Sequence, residues 1–301
     1  MTRPRNRSEE VIAADGLRAR DSGEWGKEKL EFLSQFGPVA LRATTSKLSR
    51  HYVDLFAGPG INRIRGGGTD FVGSPLRALE LQAIGEGTFP FTDAWFVNRD
   101  QRDDAALKER VRRYTLVGTS RIRGEHIHCV LGDANEVIYP ILEAIHPKSY
   151  VFVFADMEAP KQLPWSSVEA LRRFRAHESV DLYLLFPLDM ALKRLLSRNP
   201  ATRESCASVL TNFFGTDGWR ELIRLREANS DRNRAELGRG LLDLYLRQLR
   251  ALWKHADVAL DVRRGMNHRL YKMLFATNSD VGRKIALWAK QRSNQQYGLS
   301  L

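Results

Sequence analysis

The sequence predicts an α/β chain, built on a mostly parallel sheet with helices on both faces. Three observations carry that prediction. Short apolar runs alternate with stretches of helical periodicity along most of the chain, as right-handed crossovers between parallel strands require. The run Tyr150 to Ala155 is apolar without a break, the pattern of a strand buried on both faces. The run His51 to Phe56 carries an aspartate, Asp54, and is followed by Gly58 and Gly60. That wording suits a parallel strand whose backbone turns sharply beneath a ligand, because glycine alone combines close approach with positive φ.

Residues 1–24 are polar and predict an N-terminal arm, which leaves 25–301 as a single domain. Trp25, Leu30, Leu33 and Phe36 suit an amphipathic helix ended by Gly37-Pro38. After the strand 51–56 comes a loop from Ile61 to Phe71, whose glycines 66–68 make it a candidate lid. A helix then opens with Ser74 as N-cap and Pro75 at its first position. Strands are predicted at 94–97, 126–131, 150–155, 181–186 and 270–277. Helices are predicted at 101–114, 135–145, 166–176 and 281–291. Residues 187–256 read as mainly helical, an insertion after the fifth strand.

Composition narrows the class. The 301 residues are 43% hydrophobic and 28% charged, ordinary values for a globular chain. No apolar run approaches the roughly 20 residues of a membrane span. The start of the chain carries charge but no apolar segment after it, so no secretory leader is expected. Two cysteines, Cys129 and Cys206, indicate a reduced, cytoplasmic protein. His126 and His128 flank Cys129, but strand alternation puts the histidines and the thiol on opposite faces, so no metal site is expected. Net charge is +11, and 36 of 47 basic residues are arginine. Such an excess suits either a polyanionic partner or a solvated basic surface.

Ligands of such a sheet bind at the carboxyl ends of the strands, so the residues just past each strand carry the chemistry. After the first, the amides around Phe56, Gly58 and Gly60 can hold the carboxylate of an amino-acid ligand, and Asp54 its ammonium, directly or through water. After the second, an acid would take two ribose hydroxyls. Here Asn98 stands first and Asp100 two residues on. After the third, Asp133 and Ala134 suit an adenine amine. After the fourth, Asp156 and Glu158 lie where a transferable methyl group would sit. The four ends together suit S-adenosylmethionine (SAM), and the G-x-G-x-x-G dinucleotide fingerprint is absent.

The core resembles the class I SAM-dependent methyltransferases. More narrowly, the chain looks like the three-Cys-motif partner proteins, found in bacteria and often in mobile or defence-type gene neighbourhoods. The wording that carries this is Tyr52-Val-Asp-Leu-Phe-Ala-Gly-Pro-Gly60 and Gly73-Ser-Pro-Leu-Arg-Ala-Leu79. Leu184-Leu-Phe-Pro-Leu188 with Arg194, and Tyr271-Lys-Met-Leu-Phe-Ala-Thr277 with Gly282, extend it. The resemblance implies a Rossmann-like class I methyltransferase fold with a seven-stranded sheet. It also implies a radical-SAM-like partner protein bearing the cysteines.

Three functions stand as expectations. In the first, Asp156 or Glu158 positions or deprotonates an acceptor on a nucleic acid. Arg63, Arg65, Arg112, Arg113, Arg172 and Arg173, with Arg175, hold its phosphates. Trp165 or Phe186-Pro187 stacks on a base. In the second, the chain is a partner-dependent or non-catalytic SAM-binding module, docking through Leu210, Phe213, Phe214, Trp219 and Leu222. Those residues equally suit a helical cap over the sheet. In the third, Asp54, Asp133, Asp156 and Glu158 hold magnesium in a nuclease, a reading that leaves the glycines unexplained.

Overall fold

The structure, a computed structural model, describes residues 10–66, 68–174, 179–197, 199–228, 234–264 and 268–296. The first nine residues of the expected arm, Gly67 and Arg175 lie outside them. The chain opens with β1 (Arg20–Ser22), α1 (Gly26–Ala43) and β2 (Arg50–Asp54). A hairpin of β3 (Ile61–Ile64) and β4 (Asp70–Val72) leads to α2 (Ser74–Glu80). Alternation then runs through β5 (Asp93–Asn98), α3 (Gln101–Leu116), β6 (Ile127–Leu131) and α4 (Ala134–Ala144). It continues with β7 (Tyr150–Ala155), α5 (Trp165–Phe174) and β8 (Ser179–Phe186). Next come a π-helical turn at Leu188–Leu192 and five helices. These are α6 (Lys193–Leu195), α7 (Pro200–Ser205), α8 (Ala207–Phe214), α9 (Gly218–Ala228) and α10 (Arg234–Leu252). The chain closes with β9 (His255–Arg264), β10 (His268–Thr277) and α11 (Asp280–Gln296).

Seven strands form one mostly parallel sheet in the order β6-β5-β2-β7-β8-β10-β9. The first five are parallel, and β10 runs antiparallel to both β8 and β9. Strand order reverses at β2, which has β5 on one side and β7 on the other. Side chains of β7 divide two cores. Val151 and Val153 pack with α4, α5, α8, α9 and α10; Phe152 and Phe154 pack with α1, α2, α3 and α11.

Three sequence expectations are corrected by the fold. First, α1 does not stop at Gly37-Pro38 but runs on to Ala43 with Pro38 inside it. The ring of Phe32 stacks on Tyr183 with centroids 4.5 Å apart, and Phe36, Ala40 and Leu41 are also buried. Burying each large side chain stabilises by roughly 1.5–3 kcal/mol, so several outweigh the ~3 kcal/mol of an internal proline. Second, Ser74 is not the N-cap of α2; Gly73 is, and the Ser74 hydroxyl turns inward to Asp54. Third, the segment 61–72 is no free lid. It is the β3–β4 hairpin, and β1 pairs with β3 in parallel to make a second, three-stranded sheet.

That small sheet also changes the reading of the N-terminus. The described part of the arm, residues 10–24, is folded onto the domain, with Ala13 and Ala19 buried. The latch is Arg110 on α3, only 2% exposed. Its Nε and Nη2 donate to the two carboxylate oxygens of Asp15 at 2.7 and 2.8 Å. Its Nη1 donates to the carbonyls of Arg18 and Pro59 at 2.7 and 2.6 Å. A polar composition read as a loose lead-in is therefore a strap, held by one buried guanidinium satisfying acceptors on two segments.

The strand β9 was missed in the sequence, although Ala256, Val258, Leu260 and Val262 alternate with Asp257 and Asp261 at the period of a half-buried strand. Leu210, Phe213, Phe214 and Trp219 are buried, and Leu222 packs against the same core. They form a cap over the sheet, not a docking face. Trp165 and Phe186 are buried around Tyr245, with ring centroids 5.4 and 5.2 Å from it, and cannot stack on a base.

Candidate functional site

A cleft of about 430 Å³ opens at the carboxyl ends of β2, β5 and β6. Leu55, Phe56 and Gly58 line it after β2, and Asn98, Arg99, Asp100 and Asp103 after β5. Gly132, Asp133, Ala134 and Asn135 line it after β6. Glu158, Lys161 and Gln162 come from the segment after β7, and Arg18 and Arg20 from the strap. Six of the eight sequence-predicted cofactor residues thus share one cleft: Phe56, Gly58, Asn98, Asp100, Asp133 and Ala134.

The other two are structural supports beneath it. Gly60, at φ 88°, donates no surface to the cleft. An added Cβ would stand 2.9 Å from Leu107, and its carbonyl accepts from the Gly73 amide at 2.7 Å. Asp54 is fully buried. It accepts from the Phe56 amide at 3.2 Å, from the Tyr52 hydroxyl at 3.4 Å and from Ser74. Burial pushes its carboxyl up to about 7, and the Asp156 charge adds to this while Ser74, the Phe56 amide and Arg20 oppose it. Direct contact of Asp54 with a ligand ammonium, as the sequence suggested, is closed off by that burial.

Asn98 has a different task from the one expected at its position. Its Oδ1 accepts from the Gly58 amide at 2.7 Å, and its Nδ2 donates to the Gly58 carbonyl at 3.0 Å. The side-chain amide thus clamps the glycine turn from both ends, which an acid could not do, since a carboxylate only accepts. Asn98→Asp is therefore expected to weaken the turn instead of restoring a ribose ligand. The variant should lose roughly 1–3 kcal/mol in urea unfolding, the range for orphaning a buried carbonyl. Unchanged stability would sink the clamp.

The acids flanking the cleft are half committed. Asp100 caps α3 through Oδ1, which accepts from the amides of Arg102 and Asp103 at 2.7 and 3.3 Å. Its Oδ2 has only the longer contacts with Arg102 and Arg18, at 3.4 and 4.0 Å. Burial alone would raise its carboxyl, but Arg102 and the two amides hold it below the usual range. Asp133 caps α4 through Oδ1, accepting from the Asn135 amide at 2.9 Å, while Oδ2 stands 3.6 Å from Arg99. Each keeps one oxygen facing the cleft, which can accept from a hydroxyl or an amine.

Asp156 and Glu158, the predicted catalytic pair, are unlike each other. Asp156 is buried and bridged by Lys29 and by Arg20, the latter at 3.5 Å. Glu158 is exposed, 3.6 Å from the Arg20 Nε. Lys29, in the first turn of α1, also lies over the Tyr271 ring, 5.9 Å from its centroid. Beside it, burial and then the Asp261 charge raise the Glu28 carboxyl to about 7. The four carboxylates of the nuclease reading are thus divided among a buried support, a helix cap and an ion-paired group. Among the described residues no group of three or more metal-ligating side chains gathers.

The predicted phosphate-binding arginines do not gather at the cleft. Arg63 donates to the Ile12 carbonyl and pairs with Asp70 at 3.6 Å; Arg65 pairs with Asp21 at 2.8 Å. Arg112 and Arg113 both pair with Glu109 at 2.8 Å. Arg172 donates to the Leu252 carbonyl and lines a separate cavity at the opposite edge of the sheet, where Tyr150 begins β7. Arg173 pairs with Glu169 at 2.8 Å. For Arg112, Arg113, Arg172 and Arg173 the physical reason is topological, since a crossover helix carries its last turn away from the carboxyl edge, whereas Arg63 and Arg65 belong to the β3–β4 hairpin. The cations that do line the cleft are Arg18, Arg20, Arg99 and Lys161. Of these, Arg18, Arg20 and Lys161 were missed; Arg20 opens β1, and Arg18 sits in an isolated bridge with Ile12 just before it.

No protein-family model matches the chain, and no curated protein matches it. Among solved structures, the chain is similar to protein LPL1258 from Legionella pneumophila str. Philadelphia 1, of the family model DUF519. The TM-score is 0.48 at 10% identity, over 90% of this chain and 92% of that one. A conserved hypothetical protein of Streptococcus pyogenes gives a TM-score of 0.28 at 16% identity, over 48% of this chain and 71% of that one. Neither likeness bears on function. No helix among the described residues is long and apolar enough to cross a membrane.

Proposed function

We propose that the cleft binds SAM and that the chain is a SAM-dependent methyltransferase acting on a nucleic acid. The fold would then be Rossmann-like and of class I methyltransferase type, with the helices between β8 and β9 as its insertion. One observation carries the reading. A clamped glycine turn, two acids each with one oxygen held only by longer arginine contacts, and the start of α4 meet in one cleft beside the strand-order reversal. That set supplies one partner for each part of an adenosyl ligand. Asp100 suits the ribose hydroxyls, Asp133 the adenine amine and Phe56 a packing surface.

The chemistry asks little of side chains. An acceptor nitrogen or oxygen attacks the sulfonium methyl carbon, the carbon–sulfur bond breaks, and S-adenosylhomocysteine leaves with the electron pair. Alignment and exclusion of water supply most of the rate. The acceptor's proton passes to Glu158 or to water, while Asp156, buried and locked by Lys29 and Arg20, supports that strand end from beneath the cleft. A net charge of +11 supports an anionic acceptor.

The experiment is calorimetric titration of the purified chain with SAM and S-adenosylhomocysteine, followed by transfer of a labelled methyl group to DNA and RNA. Micromolar binding and label in either polymer are expected; absence of binding by the folded protein removes the reading. A second reading is a SAM-binding module that works only with a radical-SAM-like partner protein. It is favoured by the ion-paired state of Asp156, which leaves the exposed Glu158 as the base at that strand end. Label transfer that appears only on adding the partner would select it.

A further inference from the structure

We propose that Arg20 reads the carboxylate of the cleft's ligand, so that the cleft prefers a nucleoside with an amino-acid tail over the same nucleoside without one. The inference rests on the reading of the cleft as a SAM site and names a specificity residue for it. Three observations lead there.

The first is position. Arg20 lies across the glycine turn, and an added Cβ at Gly58 would stand 3.5 Å from both its Cζ and its Nε. The guanidinium is therefore packed against the glycine turn, where on the proposed reading the tail of an adenosyl ligand would lie. It is fixed there by the pairing of β1 with β3, Arg20 opposite Asn62, and by the Arg110 latch two residues upstream.

The second is unused capacity. Among the described residues Arg20 donates no hydrogen bond. Its partners Asp156 and Glu158 stand at 3.5 and 3.6 Å, beyond the 2.7–3.2 Å of an N–H···O bond. The Asp156 charge is already met by Lys29, so Arg20 is not needed to neutralise it. A planar fork of donors, its side chain 27% exposed, thus borders the cleft. Bidentate capture of a carboxylate is what that geometry serves.

The third is substitution of a lost donor. In the scheme drawn from the sequence the amides of the glycine turn hold the ligand carboxylate. The Gly58 amide is spent on Asn98, which leaves the turn short of a donor. A cation over the turn supplies the missing one, and with a full charge.

The test compares two ligands that share the nucleoside and the thioether: S-adenosylhomocysteine, which carries the carboxylate, and 5′-methylthioadenosine, which does not. The full-length protein is titrated with each, as wild type, Arg20→Ala and Arg20→Lys. Wild type is expected to bind S-adenosylhomocysteine at least tenfold more tightly than methylthioadenosine. Arg20→Ala should lose at least tenfold on the first and less than twofold on the second, with Arg20→Lys in between. Urea midpoints of the three proteins report whether the strap stays folded. Equal weakening of both ligands, or of neither, overturns the assignment. Loss confined to a phosphate-bearing oligonucleotide, with S-adenosylhomocysteine affinity intact, overturns it in favour of an acceptor phosphate. Wild type binding neither nucleoside removes the SAM reading itself, an outcome separate from a failure of Arg20.

Discussion

Arg110→Met is expected to release the strap, costing about 3–5 kcal/mol of stability and most of the cleft's affinity for an adenosyl ligand. The size reflects what the guanidinium does. It is 2% exposed, pairs with both oxygens of Asp15 and donates to the carbonyls of Leu17, Arg18 and Pro59. Removing one member of a buried ionic network strands its partners, and such deletions cost roughly 3–5 kcal/mol. Asp15 is a third exposed, with its side chain at 31%, so water recovers part of the loss and the lower end is expected. Arg110→Lys keeps the charge but not the fork, and should recover only a minor part. Affinity falls with stability because Arg18 and Arg20 reach the cleft only while residues 10–22 lie along α3. Urea unfolding, protease cleavage near residues 10–22 and titration with S-adenosylhomocysteine measure the three consequences. A variant with wild-type protease resistance and affinity would show that β1 holds without its latch.

Stability should fall as pH rises from about 4 to about 7, and Asp54→Asn should remove the Asp54 share of that fall, leaving those of Glu28 and Asp181, whose carboxyls burial also raises. Asp54 is fully buried and its carboxyl is raised from 3.8 to about 7, by burial first and by Asp156 second. Tyr52 on β2, Ser74 on α2, Asp156 after β7 and Arg20 on β1 are the polar and charged groups that surround it. Because the folded value is the higher one, the native state holds a proton that the unfolded chain has already released across this window. Stability then drops with each unit and levels off above the folded value. At 1.36 kcal/mol per unit, a shift of that size corresponds to at most about 4 kcal/mol. Asparagine mimics the protonated carboxyl and does not titrate. The variant should be near neutral at pH 4 and more stable than wild type at pH 8. Denaturant midpoints across pH 4–8 for both proteins decide it, and parallel curves would show that Asp54 does not carry the slope.

Much of the frame was legible because strands and helices declare themselves locally. The run Tyr150 to Ala155 is a strand in the sequence and β7 in the structure, with identical bounds. Asp133, Ala134, Phe56, Gly58, Asn98 and Asp100 were found because strand ends in a parallel sheet converge by topology alone. Pro38 misled because its penalty is local and visible, whereas the burial of Phe32 and Phe36 that offsets it depends on Tyr183 and Phe152, far along the chain. The arginines were only half legible. Their charge is visible in sequence, but not that Glu109, Glu169 and Asp21 pair with four of the seven that were expected to bind phosphate.

By itself the sequence determined the alternation, the parallel character of the sheet and the four strand ends that meet at the cleft. Those depend on periodicity and on glycine's freedom at φ 64° at Gly58, both properties of neighbouring residues. Only the tertiary structure decided what the side chains there do. Asn98 clamps Gly58 across 40 positions of sequence, Lys29 reaches Asp156 across 127, and Arg110 ties Asp15 across 95. Each of those choices is made by a buried polar group seeking its partner, and burial is a property of the whole fold.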